Sequence, residues 1–207
     1  MAGLLLLLAV GDKLNLGPSE YLLRPLLLGG LLWLFSKRQV DLRAPNWPRS
    51  VIVGLAVFFI WVAPDILWPS YRQLWIFNNA LTGSPTSSVP EVWRGMPLVI
   101  VSRALRAVVL VPIIEELFWR GWLMRWLVNP DFERVPLGTY TRYAFWISAL
   151  LFASVHGAYW DVGLIAGITY NWWMMRTRNL GDCIVAHAVT NAMLSAYVLT
   201  ADQWQYW

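Results

Sequence analysis

Long stretches of this chain are continuously apolar, and polar residues gather between them. The runs are Leu4–Val10, Tyr21–Phe35, Val51–Trp68, Met96–Val128, Tyr143–Val155, Val162–Met175 and Ile184–Leu199. About 20 apolar residues cross a bilayer as a helix, so the pattern predicts six or seven membrane helices. The expected fold is all-α: a polytopic membrane bundle of six to eight helices around a polar chamber. Several runs are shorter than one crossing. Met96–Val128 exceeds one, which calls for a tilt, a break or an interfacial extension after Gly121.

Turn-rich segments separate the runs. Thr82–Pro90 is, Val89 apart, built from Gly, Ser, Thr and Pro, and Asn129–Asp131 with Pro136 and Gly138 marks a second connection. Trp47, Trp68, Trp93, Trp204 and Trp207 stand near segment ends, where indoles anchor at the lipid–water boundary. No internal repeat stands out, and one domain over 1–207 is expected.

Composition supports the membrane reading. The chain is 58% hydrophobic and 14% charged, with 15 Trp in 207 residues and a mean hydropathy of +0.50; soluble domains carry nearer a quarter charged residues. The net charge of +4 comes from 14 Arg and 2 Lys scattered through short loops. That spread argues for membrane topology and against a nucleic-acid partner.

Placing the loops with Lys37, Arg38, Arg43 and Arg49, with Arg125, Arg134 and Arg142, and with Arg176 and Arg178 in the cytoplasm puts nine cations there. The opposite loops then hold only Arg72 and Arg94, as the positive-inside rule requires. Met1–Val10 lacks a basic leader and a good cleavage site, so it reads as retained and not as a removed signal peptide. The single cysteine, Cys183, has no disulfide partner and reads as a small core residue.

Against this background the polar residues within the runs carry the chemistry. They form three motifs: Glu115-Glu116-x-x-x-Arg120, Phe152-x-x-x-His156 and His187-x-x-x-Asn191, the last two holding the chain's only histidines. Such groups are costly in hydrocarbon unless they face one another or a wet cavity. Glu116 and Arg120 sit one helical turn apart in the acid-first order that favours pairing. Glu115, about 100° round the helix from Glu116, is left to face another partner.

The bland reading of each motif stays open. The three charges could form a buried ion network, either histidine could be a hydrogen-bonded core residue, and Asn191 could bind helices together. Taken together they also fill every role of a hydrolase that activates water directly. Glu115 with His156 can hold and deprotonate water, and His187 with Asn191 can donate to an oxyanion.

In order and spacing, Glu-Glu-Leu-Phe-Trp-Arg-Gly at 115–121, Leu-Phe-Ala-Ser-Val-His at 151–156 and Ala-His-Ala-Val-Thr-Asn at 186–191 resemble the CPBP family. This is the family of CAAX prenyl endopeptidases and bacteriocin-processing proteases, also called ABI. The resemblance covers about Val101–Leu199, an expected catalytic core of 101–199. It implies an intramembrane glutamate-type endopeptidase with Glu115 and His156 on water, His187 and Asn191 as oxyanion donors, and Glu116 and Arg120 in support. No His-Glu-x-x-His spacing occurs, and neither a catalytic metal nor another cofactor is expected.

Trp126–Glu133 and the Trp-rich C-terminus are further similar to CAAX-protease-related proteins found with bacterial exosortase sorting systems. That implies a bacterial inner membrane, a membrane-associated protein or peptide substrate, and a link to sorting components. Two rivals remain: a catalytically silent binding, immunity or scaffold protein of the same fold, and a transporter or proton relay. One tension stands as well. The loop assignment puts Glu115 toward the cytoplasm and His156 at the far end of its helix.

Overall fold

A computed structural model describes residues 17–36 and 41–207. The first apolar run, Leu4–Val10, and the loop cations Lys37 and Arg38 lie outside the described residues. Six helices follow in order: α1 (Glu20–Ser36), α2 (Trp47–Leu67), α3 (Pro97–Trp126), α4 (Arg142–Ser154), α5 (Trp160–Thr177) and α6 (Leu180–Ala201). Among the described residues the only β pairing is an isolated bridge between Asn79 and Gly83. The architecture is an all-α helix bundle.

Helix starts follow local chemistry. Pro48 and Pro97 open α2 and α3, where a missing N–H costs nothing. The Thr141 hydroxyl accepts from the Ala144 N–H to cap α4, and the Asn179 side chain accepts from the Asp182 N–H to cap α6. Asp182 reaches on to the start of α2, accepting from the Asn46 backbone N–H at 2.9 Å and its amide at 3.0 Å. The N-termini of α2 and α6 are thereby pinned side by side.

Small residues set the closest approaches. A Cβ on Gly54 would stand 2.3 Å from the Ala186 carbonyl oxygen, so α2 and α6 cross with their backbones nearly touching. Beyond this crossing the core is a continuous cluster that includes Val57, Trp119, Phe152, Tyr170, Trp173 and Ile184.

The outward faces are apolar in helical stripes: Ile52, Phe59 and Ile66 on α2, and Leu98, Val101 and Leu105 on α3, are all exposed. Water would make such faces a liability; lipid makes them the expected surface. By length and composition, α2, α3 and α6 are long and apolar enough to cross a membrane. Together with these faces they mark a membrane protein.

α3 is one rod of 30 residues, but two π-helical turns interrupt it, at Arg106–Leu110 and Leu117–Leu123. Pro112 accounts for the first. It has no N–H for the Val108 carbonyl four residues back, and its ring crowds that turn, so the backbone widens just before it. Where a tilt, a break or an interfacial extension after Gly121 was expected of this long run, the helix carries a pair of wider turns on either side of Val111–Glu116, the segment that holds both glutamates, and Gly121 lies in the second.

α4 resolves the tension over depth. It has 13 residues, about 20 Å at helical rise, and is too short to traverse hydrocarbon. Glu115 lies 11 residues above Trp126, roughly 16 Å along α3. A rise of that length brings His156 to about the level of Glu115, and the two line one cavity.

Candidate active site

Glu115 and Glu116 leave α3 in different directions, as their offset round the helix dictates. Glu116 is fully buried, with its Oε1 accepting from the Arg120 guanidinium at 3.0 Å and lying 2.9 Å from His187 Nδ1. Arg120, 1% exposed, also donates to Asn171 Oδ1 at 2.9 Å and to the Gly167 carbonyl at 3.1 Å. Asn171 in turn donates to Ser148 Oγ and the Phe145 carbonyl. The guanidinium lies 4.7 Å from the centre of the Phe152 ring, a cation–π distance. One ion pair thus ties α3 to α4, α5 and α6.

Glu115 faces the other way, into a cavity of about 610 Å³ that His156, His187 and Asn191 also line. Its Oε2 is buried and has no hydrogen-bond partner among the described residues. All four residues expected to do chemistry therefore border the same space, while Glu116 and Arg120 stand behind its wall.

His156 is held in one orientation. Its Nδ1 lies 2.7 Å from the Phe152 carbonyl oxygen, which can only accept, so Nδ1 carries the proton and Nε2 is the open nitrogen of the neutral ring. Phe152 packs on the imidazole at 4.5 Å between ring centres and Trp61 meets it edge-on at 5.3 Å. Gly163 closes the third side: a Cβ there would come within 3.2 Å of the histidine's Cβ and Cγ.

His187 is held by Glu116 at Nδ1 and by Tyr170, stacked at 5.1 Å with 23° between planes. The Tyr170 hydroxyl donates to Thr190, whose own hydroxyl donates to the Gly54 carbonyl at 2.9 Å. With Nδ1 donating to a carboxylate, His187 offers an Nε2–H only as an imidazolium, for which Glu116 is the counter-ion. Asn191 spends one amide N–H on the Ala107 carbonyl at 2.8 Å, inside the first π turn. The second N–H is left over.

A second charged cluster was not foreseen. Arg72, read as a loop cation, is 6% exposed and joins Asp65 at 2.9 Å, Asp161 at 2.5 Å and the Ala158 carbonyl at 2.8 Å. The rings of Tyr71, Phe77 and Tyr159 surround its guanidinium at 4.5–5.1 Å. The Tyr206 hydroxyl donates to Asp65 at 2.6 Å; burial, then this bond, raises the phenol pKa above its ordinary value, so it stays a donor. The cluster stands at the rim of the cavity, which Ala158, Tyr159 and Tyr206 also line.

Among the described residues no three His, Cys, Asp or Glu side chains converge as a metal-holding group. Cys183 is fully buried, as a core residue should be.

Residues 97–193 match the family model described as type II CAAX prenyl endopeptidase Rce1-like. Neither curated proteins nor solved structures give a match.

Proposed function

Over residues 97–193 the chain belongs to the CAAX-protease family, and from that premise we propose that it is an intramembrane endopeptidase of the glutamate type. The observation that carries this reading is the Glu115 carboxylate, whose Oε2 is buried and unpartnered among the described residues and which borders one cavity with the open nitrogen of His156. In the proposed step a water held between them loses a proton to Glu115 as its oxygen bonds to the peptide carbonyl carbon. Charge develops on the carbonyl oxygen, where Asn191 Nδ2 and the cationic form of His187 donate. Collapse breaks the C–N bond, and the proton held by Glu115 passes to the departing amine.

Glu116 and Arg120 support this by position. Glu116 fixes the His187 ring and neutralises its imidazolium, and Arg120 keeps that carboxylate in place through three helices. Phe152, Trp61 and Gly163 do the same for His156 by contact. The aromatic rings packed against both histidines lower the local polarity, which strengthens each charge interaction beside them.

The substrate is a membrane-associated protein or peptide cut in or at the bilayer, and residues 1–207 form one domain with the site in its second half. The likeness of Trp126–Glu133 to exosortase-associated proteins supports a multi-pass protein of a bacterial inner membrane that acts around sorted proteins.

The test compares the termini of membrane proteins in cells carrying the wild type and Glu115→Ala, with membrane insertion checked for both. Fragments present only with the wild type are expected. Identical fragment sets would leave the same fold without this activity.

A further inference from the structure

The cavity that holds Glu115 reaches one end of the bundle. Connections at that end line it: Ser84, Thr86 and Ser88 between α2 and α3, Tyr159 between α4 and α5, and Gln205 after α6. The three residues of the first connection are exposed, so the space communicates with the outside there. Hydrogen bonds stitch these connections together. The Trp160 indole donates to the Ile76 carbonyl at 3.1 Å, and the Tyr159 hydroxyl to the Gln205 carbonyl at 3.3 Å.

The other end of the bundle is closed. Among the described residues no connection there lines the cavity, and between Glu115 and that end stand the buried Trp119, Glu116, Arg120 and Asn171. The cations gather at this closed end: Arg43 and Arg49, Arg125, Arg134 and Arg142, and Arg176 and Arg178. Two contacts group these connections. The Arg125 guanidinium donates to the Val135 carbonyl at 2.7 Å, and a Cβ on Gly181 would stand 2.3 Å from the Arg43 carbonyl oxygen. The connections of the open end hold Arg72 and Arg94, and Arg72 is spent on Asp65 and Asp161. Basic connections are retained in the cytoplasm as a rule.

The rim of the opening is also apolar. The segment that carries Ser84 follows directly on the exposed end of α2, Ile66 and Leu67, and it exposes Trp75, Leu81 and Val92 by 78%, 98% and 76%. Such side chains belong at the lipid–water boundary. A space of about 610 Å³ is the size of a small-ligand pocket, so a chain enters it extended and not as a folded domain.

Resting on the peptidase reading above, we infer that the active-site cavity opens on the non-cytoplasmic face of the membrane and takes as its substrate class the exported portion of a membrane-anchored protein.

The test expresses the full chain in bacterial spheroplasts and reads thiol modification by a small charged methanethiosulfonate that does not cross membranes. The wild type, whose Cys183 is fully buried, is the blank. Ser84→Cys at the rim, and Leu194→Cys and Val111→Cys in the cavity wall, should lose their free thiol in intact spheroplasts. Arg134→Cys at the opposite end should lose it only after permeabilisation. In cells carrying the wild type or Glu115→Ala, termini found only with the wild type should fall in exported segments of membrane proteins.

Two wall positions are used so that a folding defect in one variant does not decide the result. If both wall thiols survive in intact spheroplasts, or if Arg134→Cys is modified there, the inference falls. Wall thiols modified from outside without wild-type-only fragments would keep the opening and sink the peptidase reading. Wild-type-only termini in cytoplasmic segments would do the reverse, keeping a peptidase and overturning its exported substrate.

Discussion

Two buried arginines are neutralised in this protein by different means. Arg120 finds Glu116 one turn away on its own helix and is completed by Asn171 and Gly167 across the bundle. Arg72 lies in a connection after α2 and takes its carboxylates from two helices, Asp65 on α2 and Asp161 on α5, inside a ring of aromatics. The inner pair has side chains wholly inaccessible to solvent, whereas Asp65 and Asp161 keep about 15%. Behind the cavity, rigidity is built with no water to screen the charges; at its rim, charge serves as a clasp that holds connections to helix ends.

That contrast sets an order of effects. Arg120→Ala leaves Glu116 charged in a dry core, and breaking a buried pair from one side costs about 3–5 kcal/mol. Thermal unfolding in detergent should show this as the largest loss of any substitution considered. Arg72→Ala strips two carboxylates that water partly reaches, and about 2–3 kcal/mol is expected. Its distinguishing mark is local: hydrogen exchange should accelerate in residues 69–82 and 157–161 and leave α3 unchanged. Equal losses for the two variants, or exchange spread through α3, would erase the distinction between core and clasp.

Smaller changes sharpen it. Gly163→Ala presses a methyl group against His156 at 3.2 Å, and displacing a reacting group by a fraction of an ångström should lower cleavage about tenfold while the unfolding temperature barely moves. Tyr206→Phe removes one hydrogen bond to Asp65 and should cost about 1 kcal/mol, with cleavage retained. A stability loss at Gly163 matching that of Arg120→Ala would place His156 in the structural frame and not in the site.

Much of the inner arrangement could be read from the sequence because it is written at helical spacing. Glu116 and Arg120, Phe152 and His156, and His187 and Asn191 are all four apart, and each pair lies where one turn puts it. The divergence of Glu115 from Glu116 follows from the same geometry. What joins the motifs was not legible: Asn171 and Tyr170 lie in an apolar run with no motif of their own, and only the approach of α5 at Gly167 brings them to Arg120 and His187. Arg72 was misread for a related reason. Its partners are 7 and 89 residues away, and a cation in a connection looks solvated until the fold closes over it.

An apolar run shows only that a segment avoids water: α4, with 13 residues, packs one side on α5 and is shorter than a full crossing, as its short run already indicated. The π turns of α3 had one visible cause, Pro112, whose missing N–H marks where the rod widens.

The most direct test of a shared water is a double-mutant cycle on cleavage of a peptide drawn from the wild-type-only fragments, using Glu115→Ala, His156→Ala and the combined variant. If both groups act on one water, each single change should cut kcat/KM by about a thousandfold and the double change should cost little more than either alone. Losses that multiply in the double variant would mean that the two residues act on separate steps, and the account of the site would be wrong.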